Sequence, residues 1–278
     1  IVPSWAVTSV RFYGTNSLYV ADTAVTAQDG TITFVSGVKN DAKTGYYDAS
    51  LIGQFDGDVN AEARVLYVGN SAAPLTTVSG DLSLDTAHNT YVVNTAVDGA
   101  TTVNSKGGLI DVYNSTLGKE GESHLARLST PDRYIRIEGD VDVNGDLNLS
   151  SNSLNMGYYS SSTGGEIIRG TVDVTGDIYA DINSTIGFSS DVTAKNITMI
   201  SRESSILSAN TDSFDAKLKT TDDNGTITLT ANKGEIVSLN GTVPAGGKSD
   251  YFSKMSYQGH ITVDKLADDF VFTSDASV

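Results

Sequence analysis

The chain has 278 residues, with 34 acidic against 18 basic side chains, a net charge of -16 and a pI near 4.3. That balance repels phosphate backbones and anionic lipid, so nucleic acid is excluded as an expected partner. Cysteine is absent, which removes thiol catalysis, disulfides and cysteine-ligated metal, and no run of about 18 apolar residues offers a membrane-spanning helix, so no direct membrane insertion of this segment is expected.

The chain opens at Ile1 without Met and without a charged leader followed by an apolar stretch, and the expectation is of a fragment or of a chain whose signal has been removed. Up to about residue 70 the texture is uneven. Trp5-Ala6-Val7-Thr8-Ser9-Val10, Gly30-Thr31-Ile32-Thr33-Phe34-Val35 and Ala63-Arg64-Val65-Leu66-Tyr67-Val68 read as strands, whereas Lys39-Asn40-Asp41-Ala42-Lys43 and Tyr46-Tyr47 interrupt them. Residues 1–70 are therefore expected to be an N-terminal cap or irregular first rungs, and residues 71–278 a regular coil.

Beyond residue 70, Gly80-Asp81-Leu82-Ser83-Leu84, Thr90-Tyr91-Val92-Val93, Thr101-Thr102-Val103 and Leu109-Ile110-Asp111-Val112 repeat the alternation. Turn dipeptides punctuate the whole chain at Asp29-Gly30, Asp56-Gly57, Asp98-Gly99, Asn144-Gly145, Asn224-Gly225 and Asn240-Gly241. No convincing helical period occurs; the nearest candidate, Asn60 to Val68, is short and equally strand-like.

The sharpest signal is an internal echo. Gly139-Asp140-Val141-Asp142-Val143-Asn144-Gly145-Asp146-Leu147 returns as Gly170-Thr171-Val172-Asp173-Val174-Thr175-Gly176-Asp177-Ile178, with six identities. Val141, Val143 and Leu147 are expected on one strand face, with Asp140, Asp142 and Asp146 toward water. A strand that recurs along a chain implies stacked rungs. Val172 to Val192 is 20 residues, Val192 to Phe214 is 22, Phe214 to Ile236 is 22 and Ile236 to Ile261 is 25. Each interval suits one turn. The 31 residues from Gly139 to Gly170 look like a turn plus an insertion, visible as residues 157–165 with Tyr158 and Tyr159 at their head. Stacked at ~4.8 Å per turn, the chain would make a rod on the order of 50 to 60 Å long. The expected fold is all-β, a right-handed parallel β-helix with loop insertions, whose core includes Leu147, Leu149, Ile178, Ile197, Met199, Ile227, Leu229, Ile236 and Leu239.

Phrases such as Val172-Asp173-Val174-Thr175-Gly176-Asp177-Ile178-Tyr179-Ala180-Asp181 and Thr90-Tyr91-Val92-Val93-Asn94-Thr95 resemble the passenger regions of autotransporters, the self-secreting surface proteins of Gram-negative bacteria. The likeness is strongest from about Gly80 to Asn240. It implies a right-handed β-helix, an extracellular place at the bacterial surface tethered to the outer membrane, and a role in adhesion or cell aggregation and virulence. The implied partner is a host surface protein or glycan, or passengers on neighbouring cells. A purely structural stalk is the alternative without contact function.

Candidate chemistry is sparse. Asp140-x-Asp142-x-Asn144-Gly145 matches the first half of a calcium loop, but Ser151 stands where a bidentate Glu is required, and no metal or other cofactor is expected. Asp222-Asp223 and Gly259-His260 are raw material for a polysaccharide-cleaving enzyme, which needs two carboxyls roughly 5 to 9.5 Å apart; an acidic turn is the plainer reading. No Gly-x-Ser-x-Gly elbow is present, and His88, His124 and His260 have no ligand-like spacing. The chain is thus expected not to be an enzyme. Binding is expected at two excursions: Tyr158 and Tyr159 at the head of the Ser/Gly run, and residues 118–133, where Lys119, Glu120, Glu122, His124, Arg127 and Arg133 concentrate charge.

Overall fold

A computed structural model describes residues 9–37, 46–72, 74–159, 167–168, 170–210, 216–221, 224–234, 236–240, 251–252, 254–264, 271–272 and 276–277. The fold is a right-handed parallel β-helix, with no helical segment among the described residues. Each turn crosses three faces, and successive turns hydrogen-bond in parallel register on each face. Along the chain the long strands Leu18–Ser36 and Ala49–Ala63 bend through all three faces, while shorter strands occupy one face each.

The period-2 alternation sets what faces inward. On the first ladder Leu66, Thr90, Ile110, Ile135, Leu154, Ile186, Ile206 and Ile236 lie in one column. On the second, Val25, Phe55, Val78, Val97, Leu117, Val143 and Val174 do so. On the third, Ile32, Val59, Leu82, Thr101, Ala126, Leu147, Ile178, Ile197 and Ile227 complete the wall. Nearly all of these are buried to within a few per cent. At ~1.5–3 kcal/mol per buried aliphatic side chain, the columns are the main favourable term of folding. Leu147, Leu149, Ile178, Ile197, Met199, Ile227, Leu229 and Ile236 are buried as expected; the Leu239 side chain lies outside the described residues. Near the start of the coil the interior widens enough for rings: Phe12 stacks on Phe34 at 4.9 Å, and Phe34 meets Phe55 edge-on at 5.6 Å.

One inward column is largely polar, interrupted by Ala63, Ile182 and Ala231. Ser36, Thr86, Ser105, Thr130, Ser151 and Ser201 close the third ladder, where backbone carbonyls of the next corner turn inward. Each hydroxyl donates to one of them: Thr130 Oγ1 to Gly108 O at 2.7 Å, Ser105 Oγ to Gly108 O at 2.9 Å, Ser151 Oγ to Ser153 O at 2.7 Å, Ser201 Oγ to Ser184 O at 2.6 Å. A buried carbonyl without such a donor would cost about 1–3 kcal/mol.

Five of the six turn dipeptides share a corner; Gly241 of the sixth lies outside the described residues. Asp29-Gly30, Asp56-Gly57, Asp98-Gly99, Asn144-Gly145 and Asn224-Gly225 all lie between the second and third ladders, stacked above one another. They are arcs joining adjacent faces, and the strands they join do not pair with each other. The nine-residue echo is therefore corner, second-ladder strand, corner, and start of the third ladder. Val141 and Val143 face inward from the second ladder and Leu147 from the third, so the single strand face expected for them is two faces of one interior.

The 31-residue offset is real: Val141 pairs with Val172, and the chain leaves the coil at Gly157 and rejoins it at Thr171. Val172 to Val192 also spans one turn. The later intervals mix faces. Val192 pairs with Leu218, while Phe214 lies outside the described residues; Ile236 belongs to the first ladder above Ile206, and Ile261 to the third above Ile227. In the described part of residues 1–70 the ladders are already present from Ser9, with register shifts between Val20 and Thr23 and between Thr26 and Thr31.

Candidate functional site

Tyr158 and Tyr159 form a two-residue strand that pairs antiparallel with Ile167–Ile168. They sit at the base of a hairpin on the corner between the first and second ladders, rather than at the tip of the excursion. The residues between lie outside the described set. The hairpin interrupts nothing: Gly157 N donates to Ile137 O at 2.6 Å, and the ladders continue on either side.

The charged excursion is shorter than residues 118–133. Gly118 and Lys119 remain bonded to the turn below, and the strand resumes at His124 in register with Gly145. Lys119 Nζ meets Glu122 Oε1 and His124 Nε2 meets Glu122 Oε2, both at 3.1 Å. The neighbouring cation's hydrogen bond pulls the Glu122 carboxyl below its usual range, while the same bond raises Lys119. Glu120 is exposed beside them, Arg127 projects from the third ladder between Thr102 and Asn148, and Arg133 lies exposed on the next corner. Lys119, Glu122 and His124 are thus brought together, and Arg127 and Arg133 stand apart from them. Asp140, Asp142 and Asn144 do not converge either. Asp140 Oδ1 accepts Thr171 N at 3.1 Å, Asp142 points outward, and Asn144 Nδ2 donates to Gly118 O at 2.9 Å. Asp222 and Asp223 lie outside the described residues.

The outer side of the first ladder carries what the sequence reading missed. Asp111, Arg136 and Glu138 form a charged cluster over two turns, with Asp111 opposite Arg136 in register. Arg136 Nη2 bonds Asp111 Oδ2, and its Nε lies 3.1 Å from Glu138 Oε1. Both carboxylates are buried, at 9 % and 8 % side-chain exposure. Burial pushes the Glu138 carboxyl up to about 7, the neighbouring Asp111 pushes the same way, and Arg136 opposes them. Burial also raises Asp111 against the pull of Arg136. Two carboxylates sharing one guanidinium leave a surplus negative charge, and protonation of Glu138 removes it.

Below this cluster the same outward column is aromatic. Tyr19, Ser50, Tyr67, Tyr91 and Asp111 occupy consecutive rungs. The Tyr67 and Tyr91 rings stack with centroids 4.8 Å apart and planes within 4°, a separation that equals the rung spacing. Tyr19 is 71 % exposed and Tyr67 43 %. Polar groups edge the stack: Asn89 Nδ2 donates to Tyr91 Oη at 3.0 Å, and Arg64 Nη2 pairs with Asp48 Oδ2 at 2.9 Å. Desolvation first, then Tyr91 and Asp48, raise the Tyr67 phenol, with Arg64 opposing.

No protein-family model, no curated protein and no solved structure matches the chain.

Proposed function

We propose that the chain is a contact protein of the bacterial surface, an adhesin-like passenger that attaches to a host protein or glycan or to copies on neighbouring cells. The observation that carries this reading is that the contact groups hang on a scaffold complete without them. The hairpin at Tyr158–Tyr159, the Lys119–Glu122–His124 loop and the tyrosine column all lie outside ladders whose interior is filled by aliphatic columns. Tyrosine supplies broad contact area with two torsions to fix, and many weak polar contacts along a rod add to avidity. The likeness of the repeat to autotransporter passengers supports the extracellular placement. The test is to display the chain on cells and measure clumping and attachment to host matrix. Changing Tyr158 and Tyr159 to Ser should reduce both, and displayed cells that neither clump nor attach would remove the adhesin reading in favour of a stalk.

A further inference from the structure

We infer that the outward column of the first ladder contains a slot for one uncharged pyranose ring, stacked on Tyr67 above Ser50; this deepens the adhesin reading and rests on it. The column runs Tyr19, Ser50, Tyr67, Tyr91 on consecutive rungs. Tyr67 and Tyr91 already stack at rung spacing, so each ring in the column takes one rung. Ser50 leaves its rung without a ring. Tyr19 and Tyr67 are then two rungs apart, roughly 9.6 Å, and the missing layer has the thickness of a single ring. The two tyrosines that flank the gap are exposed, 71 % for Tyr19 and 43 % for Tyr67.

The surroundings select a sugar over an aromatic side chain. A pyranose offers a C–H face that packs on an aromatic ring and an edge of hydroxyls that must be hydrogen-bonded. The Ser50 hydroxyl lies at the floor. At the margin stands the Asp48–Arg64 pair, whose side chains are 40 % and 50 % exposed and whose guanidinium offers further N–H donors to sugar hydroxyls. A phenyl ring of a protein partner would desolvate that pair with nothing in return. Charge narrows the class further. Arg64 is already neutralised by Asp48, and a chain of net charge -16 repels uronates, sialic acid and sulfated sugars.

The test uses the full chain and three neutral probes, cellohexaose, chitohexaose and mannohexaose, with binding read by saturation-transfer NMR and tyrosine fluorescence. At least one should bind. Ser50→Tyr, which fills the rung with the ring its neighbours carry, should weaken that binding at least tenfold without lowering Tm. Tyr67→Ser should weaken it similarly, and Tyr179→Ser, an exposed tyrosine of the third ladder, should leave it unchanged. Absence of binding to all three probes, wild-type binding by Ser50→Tyr, or a self-association that Ser50→Tyr abolishes without any sugar binding would each overturn the slot. If displayed cells still attach in that event, the adhesin reading stands and only the sugar is lost.

Discussion

Asp146 and Gly176 lie one turn apart on the corner between the second and third ladders, and each requires the other. The Asp146 Oδ1 accepts the backbone N–H of Asp177 at 2.9 Å, and it occupies the place a side chain on Gly176 would take, 2.2 Å from an ideal Cβ. The pattern recurs below: Asp58 Oδ1 accepts Asp81 N at 2.9 Å under Gly80, and Asp81 Oδ1 accepts Ala100 N at 2.8 Å under Gly99. Above, Asp177 Oδ1 accepts the side-chain Nδ2 of Asn196 at 2.8 Å, and Asn196 Oδ1 accepts the backbone N–H of Thr226 at 3.0 Å. The recurring Gly-Asp pair is thus a latch between turns.

Gly176→Ala places a methyl against Asp146 and, at 2.7 Å, against the Gly145 carbonyl. Backbone cannot yield as a side chain can, so the variant should lose about 1–3 kcal/mol in urea unfolding followed by circular dichroism. Gly187→Ala is the contrast. Its nearest neighbour is 3.7 Å away, and reduced freedom of the unfolded chain should make it neutral or stabilising by up to ~1 kcal/mol. Equal losses in both variants would refute the latch.

Asp146→Ala leaves the Asp177 N–H without its acceptor and should cost ~0.5–2 kcal/mol, whereas Asp146→Asn keeps an oxygen at the same place and should cost less. Hydrogen exchange at the Asp177 amide reads the effect directly, with faster exchange in the alanine variant.

Glu138 makes stability depend on pH with a definite sign. Its folded carboxyl titrates at about 7 against 4.5 for the free group, so between those values the folded chain binds more protons than the unfolded one. Stability therefore falls as pH rises through that window. The full effect is on the order of 3 kcal/mol, shared with the coupled Asp111. Tm measured from pH 4.5 to 8 should decline more steeply in the wild type than in Glu138→Gln. Parallel curves would show that Glu138 ionises normally.

Thr130→Val removes the hydroxyl that donates to Gly108 O while keeping volume. The Ser105 hydroxyl also reaches that carbonyl, so the loss should stay near 1 kcal/mol in thermal unfolding. In Ser105→Val/Thr130→Val the carbonyl loses both donors, and the combined loss should exceed the sum of the single ones.

The coil, its aliphatic walls and the insertion after Gly157 were legible because the echo at Gly139 and Gly170 carries its own register, and Val141 does pair with Val172. The assignment of strands to faces was not legible. Alternation looks the same on every face, so Ile236 and Val192 seem to belong to one column when they belong to two. The outward columns of the first ladder were hidden for a related reason. Tyr19, Ser50, Tyr67 and Tyr91 are separated by 31, 17 and 24 residues, and Asp111 and Arg136 by 25. Turn lengths this unequal give no period to follow, and only the pairing register aligns such residues.

The latched corners also decide how damage spreads. Because each Asp grips the amide directly above it, every storey is anchored only to its two neighbours. A broken latch should then loosen the two turns it joins and leave distant ones unaffected, and a polypeptide delivered end-first can set each storey on the last before the remainder has emerged.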